Sequence, residues 1–346
     1  MNPPVAATAD AFIHMLDPVA LSLGPLNLRW YPLTYIFGFI VAMLMVRWLI
    51  ASGRSPITRD YLADMTAYLF FGVAAGARLG YVFFYRPELL VAFDTEFPFW
   101  GVLAVHKGGM SSHGGMLGVI AACFWMRREK GLALWHLFDV VAFICPPGLA
   151  FGRLGNWVNG ELWGKALPAT QQSFAGGDPP WWGVKYPAEL SHSGFPGERL
   201  AHLRGDLTEH LFLPPQTPLP ELLELVERAI LGGDDRVLAM VSPALTTYYP
   251  SPIIQAITDG PLLMTAMVIA WWRPRTPGVV AAWFLVTYGV LRLASETWRQ
   301  PDIDIALFLG LSRGQLLSVL FPLAGVVALI FLLRRGANGE HDRQIA

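Results

Sequence analysis

Charge is what this sequence has least of. Only 15% of its 346 residues are Asp, Glu, Lys or Arg, against about 25% in an average soluble domain. With 54% hydrophobic residues and a mean hydropathy of +0.43, the chain has too little polar surface for water. Disorder and a soluble multidomain enzyme fit poorly, and a polytopic membrane protein is expected. The net charge is −1 at pH 7, so no global positive field points to nucleic acid. Cysteine is scarce too. Cys123 and Cys145 each lie inside an apolar run, which excludes a disulfide framework and a Cys-based metal site. The N-terminus lacks a basic stretch, and Asp10 and Asp17 interrupt its apolar residues, so no cleaved signal peptide is expected. Motifs of the H-E-x-x-H and Gly-x-x-x-x-Gly-Lys kinds are also missing, and neither a metal nor another cofactor is expected.

What is present is a series of apolar runs. A bilayer core about 30 Å thick needs around 20 mostly apolar helical residues. Seven runs come near that: Tyr31–Ile50, Ala63–Tyr85, Met110–Met126, Trp135–Leu154, Pro252–Trp272, Val279–Glu296 and Gln315–Leu333. Glycines and charges make the third and sixth the weakest. Basic clusters at Arg47, Arg54 and Arg59, at Arg127, Arg128 and Lys130, at Arg273 and Arg275, and at Arg334 and Arg335 fall on one side if the N-terminus is outside. Positive loops face the cytoplasm, so the expected fold is an all-α membrane protein with seven transmembrane helices, N-terminus out and C-terminus in.

The expected layout is an interfacial lead-in at 1–30, helices one to four at 31–164, an outer (periplasmic) head at 165–249, helices five to seven at 250–335, and a cytoplasmic tail at 336–346. The head is rich in Pro, Gly and charge. Between Lys165 and Arg236 it carries ten acidic and six basic residues. Within it Leu219, Leu222, Leu223, Val226 and Ile230 recur at helical spacing opposite Glu221, Glu224, Glu227 and Arg228, the pattern of an amphipathic helix. Small residues four apart (Gly72, Gly76 and Gly80; Gly114 and Gly118; Gly148 and Gly152) read as close helix packing.

The informative residues are polar ones at membrane depth. A centred Arg costs roughly 2.5–3.5 kcal/mol on insertion scales and normally faces a cavity or a partner. Arg78 lies in the second run, Arg153 ends the fourth, and Arg292 and Glu296 stand one turn apart in the sixth, with Tyr288 a turn earlier. Glu161 follows Arg153 in a polar string. The segment Gly108–Gly115 surrounds His113 with glycines that would let a ligand approach the main chain, where an imidazole can act as a base or donate to an anion. Together these residues suggest a cavity whose guanidinium groups hold a phosphate. On residue chemistry alone, a lipid-modifying enzyme and a lipid or anion transporter fit equally well.

The string GRLGNWVNGELWG (Gly152–Gly164) resembles the signature of the bacterial prolipoprotein diacylglyceryl transferases, and GGMSSHGG (Gly108–Gly115) resembles that family's histidine segment. RWYPLTY (Arg29–Tyr35), GARLGYVFFY (Gly76–Tyr85) and YGVLRLASETWRQPD (Tyr288–Asp302) match as well, in the family's order. The resemblance implies a bacterial inner-membrane enzyme. It would move a diacylglyceryl group from phosphatidylglycerol to the lipobox cysteine of a prolipoprotein, giving a thioether and glycerol 1-phosphate. Its partners would be phosphatidylglycerol, the prolipoprotein lipobox and membrane lipids, with no nucleic acid. By the same resemblance His113, Arg153 and Arg292 are the catalytic candidates. The substrate-binding candidates it implies are Arg153, Asn156, Glu161, Gly164, Tyr31, Tyr288 and Glu296, to which the reading of the polar residues adds Asn159 and Arg78.

Two features depart from the family pattern. Its His-Pro-Ser-Gln-x-Tyr-Glu stretch reads Tyr249-Pro250-Ser251-Pro252-Ile253-Ile254-Gln255 here, and the head is long and acidic. The other readings are a transporter using the same cavity and an inactive paralogue that binds lipoprotein precursors.

Overall fold

The computed structural model describes residues 11–24, 26–95, 97–105, 108–192, 194–273, 275–300 and 313–345. The chain starts with three short strands, β1 (Phe12–Ile13), β2 (Val19–Leu23) and β3 (Leu26–Arg29). Four long helices follow: α1 (Trp30–Ala51), α2 (Leu62–Tyr85), α3 (Ser112–Lys130) and α4 (Leu134–Val158). Next come β4 (Val184–Lys185), α5 (Arg204–His210), α6 (Leu219–Leu231), α7 (Asp235–Val241) and β5 (Thr247–Tyr248). The chain continues through α8 (Ser251–Ile257), α9 (Leu263–Ala270), α10 (Val279–Glu296) and α11 (Arg313–Ile345).

Five segments are long and apolar enough to cross a membrane: Trp30–Ala51, Leu62–Tyr85, Leu134–Val158, Ser251–Ala270 and Val279–Glu296. They coincide with five of the seven expected runs, so the chain is a multi-pass helical membrane protein. The third run forms α3, whose Arg127, Arg128 and Lys130 lower its hydropathy below that of a span. The seventh lies in α11, of which Ser318–Arg334 is the apolar part. That helix continues to Ile345, through most of the segment expected as a tail. The fifth run is interrupted. A π turn over Thr258–Leu262, containing Pro261, joins α8 to α9, because proline supplies no N–H to an α-helical ladder.

The helices are accompanied by short strands that an all-α expectation omits. β2 and β3 form a hairpin, and β1, β4 and β5 form a three-stranded sheet, β1 parallel to β4 and β4 antiparallel to β5. The lead-in expected at 1–30 is therefore strand and hairpin over its described part. Residues 1–10 lie outside the described residues.

By its internal contacts the chain divides into two units. One comprises the described parts of Met1–Ile36, Ala150–Asp259 and Leu291–Leu316. Its head core gathers Leu190, Leu200, Leu207, Leu222, Leu223, Val226 and Ile230, so α6 buries the apolar stripe read from its spacing. Fully burying each such side chain contributes about 1.5–3 kcal/mol.

The other unit comprises Phe37–Leu149, Gly260–Val290 and the described part of Leu317–Ala346. In it α2 and α3 cross at their glycines. A Cβ on Gly72 would stand 2.7 Å from the Gly118 carbonyl oxygen, and one on Gly80 would stand 2.5 Å from the Gly114 Cα. Helix backbones approach this closely only where side chains are absent. Gly152 on α4 faces the Tyr35 ring of α1, while Gly148 has open space where its Cβ would be.

Candidate active site

The first unit collects most of the polar residues singled out above. The C-terminal end of α4 carries Arg153 and Asn156, and Tyr31 in the first turn of α1 lies beside it. Gly155 allows this approach, since a Cβ there would lie 2.6 Å from Thr34 Oγ1 and 3.0 Å from Tyr31 Cδ2. The Tyr31 hydroxyl stands 3.2 Å from that of Tyr35 and lies within electrostatic reach of Glu161. Asn156 is buried and donates to Glu161 Oε2 at 2.9 Å, while Asn159 donates to Oε1 at 3.2 Å. Gly160 (φ 65°) and Leu162 (φ 57°) flank Glu161 in left-handed backbone. For leucine that conformation is strained, and such strain concentrates at functional sites.

Two neighbours hold this loop. His14 donates from Nε2 to the Trp157 carbonyl oxygen at 2.6 Å, and burial pushes its imidazole below the usual histidine range. On the other side Gly164 bridges Arg299, with Lys165 N–H donating to the Trp298 carbonyl and Gln300 N–H to that of Trp163. A Cβ on Gly164 would collide with the Tyr249 carbonyl oxygen. Gly164 thus serves the close passage of three backbone segments, a role its place in the motif did not reveal.

The charged centre is an arginine–carboxylate cluster. Arg153 Nε donates to Asp259 Oδ2 at 3.2 Å, and the Asp259 side chain is fully buried. Arg292 Nη2 lies 2.9 Å from Glu296 Oε2, and Arg299 Nη1 lies 3.9 Å from Glu296 Oε1. Asp259 is within electrostatic reach of Arg153, Arg292 and Glu296, which ties the pairs into one group. Three guanidinium groups against two carboxylates leave one positive charge, the complement of a phosphodiester. Asp259 escaped the sequence reading. The signal was there, an acidic residue inside the apolar run Pro252–Trp272, and the insertion-cost argument applied to the arginines would have found it.

His113, Arg78 and Tyr288 belong to the other unit. His113 is exposed in the first turn of α3, whose N-cap is Ser111, with the Ser111 hydroxyl accepting from the Gly114 N–H. The glycines after it do not open the main chain to a ligand as expected. Gly114 is filled by α2 backbone, and Gly115 faces Ala77 and Val73. Arg78 also differs from its expected role. Its Nε donates to Val102 O (2.7 Å), Nη2 to Gly101 O (2.7 Å), and Nη1 to Gly108 O (2.6 Å) and Gly109 O (3.0 Å). Four carbonyl contacts tie the loop ahead of α3 to the buried guanidinium. Tyr288 is half-buried, stacked on Phe284 at 5.5 Å and tilted against Phe321 at 6.0 Å.

The fold is that of a multi-pass helical membrane protein, and its site gathers three arginines answered by two carboxylates. The chain belongs to the prolipoprotein diacylglyceryl transferase family, which it matches over residues 18–331. It is 34% identical to the phosphatidylglycerol–prolipoprotein diacylglyceryl transferase of Bdellovibrio bacteriovorus, covering 93% of this chain and 94% of that one. Similarity to the enzyme of the same name from Neisseria gonorrhoeae is also 34%, over 95% of this chain and 99% of the relative. To that from Stenotrophomonas maltophilia it is 32%, over 93% and 94%.

Proposed function

We propose that the protein transfers the diacylglyceryl group of phosphatidylglycerol to the lipobox cysteine of prolipoproteins, the first step of lipoprotein maturation. The substrate thiol, with an ordinary pKa of about 8.5, must lose its proton before attack. Its sulfur then bonds to the sp³ glyceryl carbon as the carbon–oxygen bond to phosphate breaks. The products are a thioether and glycerol 1-phosphate, and the thiol proton passes to a base. Arg153 and Arg292 offset the charge that grows on the departing phosphate, a term that is large in a dry site. Asn156, Asn159, Glu161, Tyr31, Tyr288 and Glu296 line the substrates, and His113 is the residue of the right pKa class for the thiol proton.

The observation that carries this reading is the Arg153–Asp259 and Arg292–Glu296 pairing with Arg299 beside it, three guanidinium groups against two carboxylates, taken with the family match over nearly the whole chain. In the same reading the chain is an inner-membrane protein with seven spans, N-terminus out, and a periplasmic head at 165–249. Its partners are phosphatidylglycerol and the prolipoprotein lipobox, with no role for nucleic acid.

The test is mass spectrometry of a synthetic lipobox peptide incubated with the detergent-purified protein and phosphatidylglycerol. The expected product is heavier by one diacylglyceryl group and absent with Arg153→Ala. An unmodified peptide beside an active control would favour a binding or transport protein instead.

A further inference from the structure

We infer that Asp259 is a positioning residue that holds the Arg153 guanidinium for the lipid phosphate, a role that rests on the reading of Arg153 as the phosphate ligand. Asp259 takes only the Nε edge of Arg153, at 3.2 Å. No described residue takes its Nη1 or Nη2, and the Arg153 side chain stays 19% exposed while that of Asp259 is fully buried. A guanidinium held along one edge keeps its terminal N–H groups in a fixed fork, the arrangement that binds phosphate through two hydrogen bonds. A carboxylate in so dry a place persists only with partners, and Asp259 has Arg153 on α4 and Arg292 on α10 within electrostatic reach.

Local backbone explains how Asp259 gets there. It lies in the π turn Thr258–Leu262, and such turns widen a helix and re-aim a side chain. One turn earlier stands Gln255, equally buried, whose amide oxygen and nitrogen have no hydrogen-bond partner among the described residues. Gln255 also occupies the position where the family stretch quoted above ends in Glu. The carboxylate that meets Arg153 is Asp259, and Gln255 one turn earlier is neutral.

The experiment measures kcat and KM for phosphatidylglycerol and for the lipobox peptide. It compares the full-length wild type, Asp259→Asn, and the exchange variant Gln255→Glu with Asp259→Asn, recording melting curves for all three. At metal sites the partners that orient a ligand cost about 10–100-fold when removed, and by the same logic Asp259→Asn should lose about that much in kcat/KM for phosphatidylglycerol. The KM for the peptide should stay nearly unchanged. The exchange variant returns one carboxylate to the same buried stretch of helix and should recover part of the loss.

Three results would overturn the inference. One is wild-type kinetics in Asp259→Asn, and another is equal losses toward both substrates that track the melting temperature. The third is an exchange variant that folds but recovers nothing, which decides the matter even if Asp259→Asn itself fails to fold. A wild type without transferase activity beside an active control would remove the parent reading, and this one with it.

Discussion

Asn156 and Glu161 are joined side chain to side chain at 2.9 Å, with the asparagine buried and the glutamate exposed. Glu161 also receives Asn159, so a single carboxylate orients both asparagines of the signature string. Removing it leaves the buried Asn156 amide without its acceptor, which costs about 1–3 kcal/mol. Glu161→Ala should therefore lower kcat/KM for phosphatidylglycerol by about 10–100-fold, at about tenfold per 1.4 kcal/mol. Glu161→Gln keeps an acceptor and should fall between it and wild type. A kinetic comparison of the two variants checks this, and equal loss in both would mean that the charge itself is required.

Gly164 yields a second prediction. Its Cβ would overlap the Tyr249 carbonyl oxygen and lie 2.8 Å from the Tyr249 Cβ. Main chain cannot swing aside as a flexible side-chain end can. Gly164→Ala must separate strands that also fix Arg299, which Gly164 bridges. Overpacking of this kind costs about 1–3 kcal/mol. The expected outcome is a lower melting temperature together with reduced transfer activity. Unchanged melting would mean that the backbone relaxes at no cost.

Much of this architecture was legible because a bilayer demands long apolar runs and makes any charge inside them conspicuous. Arg153, Arg292 and Glu296 stood out on that ground alone, and α6 stood out by its period. What escaped was non-local. Arg153 meets its partner Asp259 from 106 residues away, and no spacing rule connects them. Arg78 looked like a headgroup ligand because the carbonyls that absorb its donors lie in the loop before α3. The glycines after His113 suited a ligand as well as they suited a helix, and only the crossing with α2 decides for the helix. Strands of two residues, such as β1, β4 and β5, are too short to show alternation at all.

The head carries a carboxyl whose titration should be visible in stability. Glu189 is buried, and that burial pushes its pKa above the ordinary glutamate range. Hydrogen bonds from Thr246 N–H at 2.6 Å and the Tyr248 hydroxyl at 2.7 Å, with Arg199 nearby, offset the burial in part. A group whose folded pKa is raised contributes stability that is fully present below its unfolded pKa of about 4.3 and is lost as pH rises through the folded value. Glu189→Gln removes that titration. The variant should gain on wild type in melting temperature as pH climbs from about 4 toward neutrality, with little difference at the acid end. Melting followed by tryptophan fluorescence across that range tests the sign. A variant that loses ground as pH rises would mean that the ionised carboxylate is the stabilising form.

Asp139 separates stability from chemistry. It is 3% exposed on α4 and reaches the start of α10, where Oδ2 accepts from Gly278 N–H at 2.6 Å and Oδ1 from Ala281 N–H at 2.8 Å. The first N–H groups of a helix have no partner within it, and a carboxylate there also meets the positive end of the helix dipole. Asp139 is thus a cap lent by another helix. Hydrogen bonds to a charged group contribute about 1.5–3 kcal/mol, so Asp139→Ala should destabilise the protein by at least about that much. Asp139→Asn, which keeps an acceptor for one N–H, should cost less. Arg292 and Glu296 stand at the opposite end of the same helix, so transfer activity per folded molecule should stay within about twofold of wild type, a difference of roughly 0.4 kcal/mol. Melting curves and kinetics on the same preparations decide between the two roles. A variant that melts normally but transfers poorly would place Asp139 in the chemistry, and the capping role would then be wrong.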